Sequence, residues 1–164
     1  KQAAIATVIG ALKYDQFGTR RSKTDAIGQL AGIKLPSDLM MTADQVQQMR
    51  AQGMQIGAHT VNHPILARID LKTAEKEIFE SKLFLEDLLK EPIKLFAYPN
   101  GRPGQDYLSE HVVLTQKLGF IASVATSWGV ADGQTNPFQL PRFTPWDKGH
   151  FSFRTRLLRN YVQH

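Results

Sequence analysis

The sequence predicts an α/β fold built on a parallel sheet, and two observations carry that expectation. Between Thr42 and Phe143, segments with helical spacing of apolar residues alternate with short apolar runs: helix, strand, helix, strand, helix, strand. Strands separated by helices are the pattern of a parallel sheet with helical crossovers. In addition, 42% of the 164 residues are hydrophobic and 21% charged, enough apolar surface for one globular domain with a real core.

Taken in order, Ile5, Val8, Ile9 and Leu12 recur at helical spacing, and Gly18 is expected to interrupt before a second, weaker helix over residues 24–31. After Pro36, Thr42-Ala43-Asp44-Gln45 has the form of a capping box, in which Thr and Gln satisfy each other's backbone N–H. Val46 and Met49 give that helix an apolar face, and Gly53 is a suitable stop. Met54, Ile56 and Ala58 then alternate with Gln55 and Gly57, which predicts a strand over 54–58 running into His59. Pro64 disfavours helical backbone in the residue before it.

Asp70 can cap a long helix whose stripe runs through Ala74, Ile78, Leu85 and Leu88, with Pro92 marking its end. Residues 95–98 form a compact apolar strand broken by the turn signal Pro99-Asn100-Gly101. A helix over 107–118, closed by Gly119, leads to a strand over 120–125. A last strand over 138–143 is expected at an edge or irregular, because Pro141 cannot donate to a ladder. In the tail, Arg154, Arg156 and Arg159 interleave with Phe151, Phe153, Leu157, Leu158 and Tyr161, a basic amphipathic helix expected to pack on its own domain rather than on a membrane.

Composition narrows the function classes. With no cysteine, disulfides and thiolate metal sites are excluded. A net charge of +5 from 20 basic and 15 acidic residues is ordinary for a solvated surface, and no nucleic-acid motif accompanies it, so no nucleic-acid partner is expected. No apolar run approaches the roughly 20 residues of a transmembrane helix, and the start lacks the pattern of a signal peptide. Because the first residue is Lys1 rather than methionine, the chain is expected to be a processed or truncated piece.

Parallel sheets place their sites at the carboxyl ends of the strands. His59 and His63, then Tyr98, Pro99 and Asn100, then Trp128, then Arg142 and Phe143 all fall at or just after expected strand ends, on one rim. Neutral imidazole is a common ligand for zinc, and a separation of four residues lets a helix-like turn aim two rings at one point. The plainer alternative has two surface or hydrogen-bonded histidines, Tyr98 and Trp128 as core aromatics and Arg142 as a surface charge. Common placement on one rim favours a site.

His59-Thr60-Val61-Asn62-His63, preceded by Ile56-Gly57-Ala58 and followed by Pro64-Ile65-Leu66, resembles the histidine motif of bacterial polysaccharide deacetylases, the NodB-homology group of carbohydrate esterases. Phe96-Ala97-Tyr98-Pro99-Asn100-Gly101 is similar to a later motif of the same family, and Leu140-Pro141-Arg142-Phe143-Thr144-Pro145-Trp146 resembles the end of an exopolysaccharide-linked branch. The resemblance implies a distorted, incomplete (β/α) barrel, here a single partial domain over 1–164 without its N-terminal strands. It also implies removal of acetyl groups from an N-acetylated polysaccharide or oligosaccharide with zinc or another divalent metal; the compartment, bacterial cytoplasm or cell envelope, is left open.

By that resemblance His59 and His63 are metal ligands, the Tyr98 backbone N–H contacts the oxyanion, Pro99 and Asn100 bind substrate, and Trp128 and Arg142 shape the sugar groove or orient a catalytic carboxylate. The ion would polarise the acetamide carbonyl and acidify a water whose proton a carboxylate takes. The family's adjacent aspartates, one the third ligand and one the base, are absent: no Asp-Asp pair occurs in the sequence. The third ligand is therefore expected upstream of Lys1, with the chain alone inactive and Asp15 and Asp25 poor substitutes. The family's late histidine is also unmatched; His111 and His150 are candidates by chemistry alone, with a surface position the default for both. A non-catalytic carbohydrate-binding or scaffold domain of the same fold is the alternative. A zinc peptidase is disfavoured because Thr60 stands where H-E-x-x-H carries its glutamate.

Overall fold

The computed structural model describes residues 2–34, 36, 38–143 and 146–162; Thr144 and Pro145 of the last motif lie outside the described residues. The chain forms two compact units, Lys1–Gly53 and Met54–His164.

The first unit holds α1 (Gln2–Leu12), α2 (Phe17–Leu30) and α3 (Ala43–Ala51). The apolar stripe of α1 stays open to solvent, with Ile5 and Ile9 more than half exposed. Gly18 does not interrupt: it sits in the first turn of α2, and the break falls at residues 13–16. A glycine there is tolerated because N–H groups of a first turn have no intrahelical partner to lose. The capping box of α3 forms as expected, the Gln45 N–H donating to Thr42 Oγ1 (3.3 Å) and the Thr42 N–H to Gln45 Oε1 (2.9 Å).

The second unit contains α4 (Leu71–Leu89), β1 (Leu95–Ala97), α5 (Ser109–Lys117), β2 (Ala122–Val124) and α6 (His150–Val162). Asp70 caps α4 by accepting the Thr73 N–H at 2.9 Å, and Lys90 closes it in left-handed conformation (φ 54°). Helix α4 buries Ala74, Ile78 and Ser81 against the core.

Strands β1 and β2 pair in parallel, Phe96 opposite Ser123. Ala58 bridges β1 on its other side, donating to Leu95 O (2.8 Å) and accepting the Ala97 N–H (2.9 Å). Leu140 bridges β2 in the same way, donating to Ser123 O (2.9 Å) and accepting the Ala125 N–H (2.8 Å). Four parallel segments thus lie side by side in chain order, α4 and α5 crossing between them: an open, incomplete (β/α) barrel.

The strands expected over 54–58 and 138–143 are each reduced to one bridging residue. The alternation buries Ala58 and half-buries Ile56 against the core, but Met54 is 55% exposed, so the buried face does not reach the start of the run. Pro137 opens a 3-10 turn over Pro137–Gln139, and Pro141 lacks the N–H to extend the ladder beyond Leu140.

The core centres on Phe96, which meets Tyr98 edge to face (5.2 Å) and Phe120 at a tilt (5.3 Å), over buried Leu66, Ile78 and Ile93. Burying one such side chain contributes about 1.5–3 kcal/mol. Helix α6 forms as expected, but of its residues only Asn160 is buried, and Phe151, Leu158 and Tyr161 face solvent. Its attachments are both polar and aromatic: Asn160 exchanges two hydrogen bonds with the backbone of Gly129 (2.9 and 3.0 Å), Arg156 pairs with Asp147 (2.7 Å), and Phe153 meets Phe143 at 6.1 Å. Among the described residues, no helix is long and apolar enough to cross a membrane.

Candidate active site

Because the four segments are parallel, the residues following Ala58, Ala97, Val124 and Leu140 emerge at one edge. His59 is the first of them. Its Nδ1 lies 2.6 Å from the Ala97 carbonyl oxygen, and a carbonyl can only accept. Nδ1 therefore carries the hydrogen, and the Nε2 lone pair is left for a ligand, the arrangement typical of metal-binding imidazole.

His63 comes back to meet it, ring centroids 4.8 Å apart at 73°. Four residues of extended chain would separate the two by about 13 Å. The turn between them is not helix-like: Thr60 (φ 64°) and His63 (φ 52°) both adopt left-handed backbone, uncommon for any residue with a side chain and more so for a β-branched one. Glu77 of α4 holds the turn. Its Oε2 accepts the N–H of Val61 (3.0 Å) and of Asn62 (2.8 Å), and its Oε1 accepts Asn62 Nδ2 (2.6 Å).

Burial is the main cause that lowers the His59 pKa below the ordinary histidine value; the Ala97 carbonyl opposes it, and the charges of His63 and Arg142 add to the lowering. The ring is thus biased to its neutral, ligating form. Arg142, exposed at the rim, stands close enough for its charge to be felt at His59.

The ring of Tyr98 belongs to the core, fully buried, its hydroxyl donating to Phe138 O (3.1 Å). Its backbone N–H, expected to contact an oxyanion, donates to Val124 O at 3.2 Å, so any such contact would have to share it. Pro99 is buried and Asn100 half-buried, with φ 58°. This corner is tied to the end of β2, the Thr126 hydroxyl donating to Asn100 O (2.7 Å) and the Thr126 N–H to Gly101 O (2.8 Å). Trp128 is 58% exposed, so it is not a core aromatic. It meets Phe143, the neighbour of Arg142, edge to face at 6.0 Å.

His111 is not a surface residue. It is fully buried, and its Nδ1 accepts the Leu108 N–H (3.0 Å) at the start of α5, a capping role that leaves it no part at the rim. His150, exposed at the start of α6, keeps the expected surface position. Asp15 is paired with Lys23 (2.8 Å), and Asp25 lies exposed on α2.

The two imidazoles fit a zinc-like ion in donor type and in the freed Nε2 of His59, but they make only part of a ligand set. Among the described residues no group of three His, Cys, Asp or Glu could hold a metal. Sequence reasoning missed Glu77 and the burial of His111. The one signal for Glu77 was its place beside Ile78 on the inward flank of α4.

Comparison with known proteins places these motifs. The polysaccharide deacetylase family profile matches residues 20–121, which contain both the histidine pair and the Phe96 to Gly101 motif but not the Leu140 to Trp146 motif. The peptidoglycan-N-acetylglucosamine deacetylase of Bacillus cereus is 34% identical over 109 residues, 66% of this chain and 46% of that protein. Streptococcus pyogenes deacetylase PplD, solved in complex with acetate, is similar with a TM-score of 0.61 at 29% identity, over 65% of this chain and 46% of that one. A de-N-acetylase from Aggregatibacter actinomycetemcomitans shares the fold, with a TM-score of 0.60 at 16% identity over 77% of this chain and 56% of that one. The match spans less than half the length of the first two relatives.

Proposed function

Because the chain belongs to the polysaccharide deacetylase family, we propose that residues 1–164 are a partial domain of an enzyme that removes N-acetyl groups from a carbohydrate polymer or oligosaccharide. The observation that carries this reading is the His59 and His63 pair, brought together at the sheet rim with Nε2 of His59 freed by the Ala97 carbonyl. Relatives named for deacetylation support it, and the acetate in PplD is the product such a reaction would release.

His59 and His63 would hold zinc or another divalent cation, which supplies polarisation of the acetyl carbonyl and acidification of water when bound. Arg142 adds to the burial that lowers the His59 pKa and offers a cationic donor to sugar oxygens. Trp128, 58% exposed with the Arg156 guanidinium over its ring at 6.0 Å, offers its remaining apolar surface to a sugar ring. Asn100 presents its side chain from a corner made rigid by Thr126. The third ligand and the base are carboxylates supplied from outside the 164 residues, and the chain alone does not turn over.

The test uses the enzyme that contains this chain together with those carboxylates. His59→Ala and His63→Ala should each lose bound zinc and acetate release from N-acetylglucosamine oligomers. Undiminished release in either variant overturns the reading. The alternative is a carbohydrate-binding domain of the same fold without catalysis. Oligosaccharide binding with no acetate released by the unmutated enzyme would establish it.

A further inference from the structure

We propose that Glu77 is a positioning residue for the metal site: its carboxylate clamps the turn that carries the two histidines and so fixes where their rings meet. The inference rests on the deacetylase reading for its consequence, but the clamp itself is a matter of hydrogen bonds. Three donors converge on one side chain, the backbone N–H groups of Val61 and Asn62 on Oε2 and the Asn62 side-chain amide on Oε1. Those donors occupy the middle of the five-residue motif, between the left-handed Thr60 and His63. A turn with two side-chain-bearing residues in that region relaxes unless something holds it. Glu77, which comes from a different element, holds it through three hydrogen bonds.

That element is well anchored. Ile78, the next residue along, is fully buried, and Ala74 and Ser81 bury the same flank of α4. Position is thereby transmitted from the core through one carboxylate to a loop with an exposed ligand, His63. At His59 the Ala97 carbonyl sets the ring; Glu77 sets where His63 returns to face it. Groups that orient metal ligands without touching the ion commonly change affinity by about 10–100-fold when removed.

The experiment compares the unmutated enzyme that contains this chain and the outside carboxylates with its Glu77→Ala, Glu77→Gln and Glu77→Asp variants, reading amide exchange at Val61 and Asn62 by NMR and zinc affinity from the imidazole proton resonances. In Glu77→Ala both amides should exchange at least about tenfold faster, and zinc should bind about 10–100-fold more weakly. In Glu77→Gln the amide oxygen can keep both backbone bonds while the Asn62 amide turns to present its oxygen, so protection and affinity should return close to the original. A loss caused only by the missing charge would not be rescued in this way, and that result overturns the clamp. Unchanged exchange and affinity in Glu77→Ala overturn it as well. Should Glu77→Ala fail to fold, Glu77→Asp decides: one methylene short of both amides, it should lose the same protection, and full protection refutes the proposal. If the unmutated enzyme, with its outside carboxylates present, takes up no zinc, the metal reading is what fails, while amide exchange still settles Glu77.

Discussion

The ring of Tyr98 lies on that of Tyr107, centroids 3.8 Å apart and 6° from parallel, and both phenols reach the same short turn. The Tyr98 hydroxyl donates to Phe138 O (3.1 Å), and the Tyr107 oxygen accepts from Gln139 Nε2 (3.1 Å). The stack thus holds the segment that delivers Leu140 to β2 and Arg142 to the rim. Tyr98→Phe keeps the ring but leaves the Phe138 carbonyl short of a donor, and should cost about 1–2 kcal/mol, read as a lower urea midpoint at unchanged slope. An unchanged midpoint would show that water replaces the hydroxyl freely.

Gly101 and Gly104 both have positive φ (80° and 73°), yet they differ in room. A Cβ on Gly101 would stand 3.1 Å from the Thr126 nitrogen and from Tyr98 O, whereas one on Gly104 meets nothing within 4 Å. Gly104→Ala should cost about 1 kcal/mol for the left-handed backbone alone. Gly101→Ala adds overpacking and should cost about 2–4 kcal/mol in all. Equal melting temperatures for the two variants would contradict this.

His111 should make stability fall with acidity. Burial lowers its pKa below the ordinary 6.5, so between the native value and 6.5 the unfolded chain binds more protons than the folded one. Its contribution is complete above 6.5 and is lost as pH drops through that window. Half-buried His59 acts in the same direction, so the comparison must be differential. His111→Gln can still cap α5 from the same position while no longer titrating. Urea midpoints measured from about pH 8 to about pH 5 should fall less steeply in that variant than in the original chain.

Arg142→Ala removes a positive charge that disfavours protonation of His59. The His59 pKa, followed by NMR in metal-free protein, should rise, yet stay below the ordinary value because burial, the larger cause, is untouched. A fall, or no movement, would place Arg142 outside the electrostatic reach of that ring.

Helices were legible wherever a local rule fixed an end. Thr42 with Gln45, and Asp70 before its stripe, declared α3 and α4 because caps are chemistry between neighbours. The short strands were legible as positions but not as lengths: Ala58 and Leu140 pair as expected, while their flanks do not, since pairing depends on partners distant in sequence. The histidines and their rim were readable from motif and topology together. Glu77 was not, because a glutamate on an amphipathic helix looks the same whether it faces water or the backbone of another loop. His111 was hidden for a similar reason: the apolar shell that buries it is assembled from separate segments.

The oxygen that sets the tautomer of His59 belongs to the main chain of residue 97 and not to its side chain. Any amino acid at that place offers the same acceptor, so substitution there can change bulk without rewriting which nitrogen bears the proton. Readiness to ligate is in this respect a property of the path the polypeptide takes, and only displacing β1 itself would take it away.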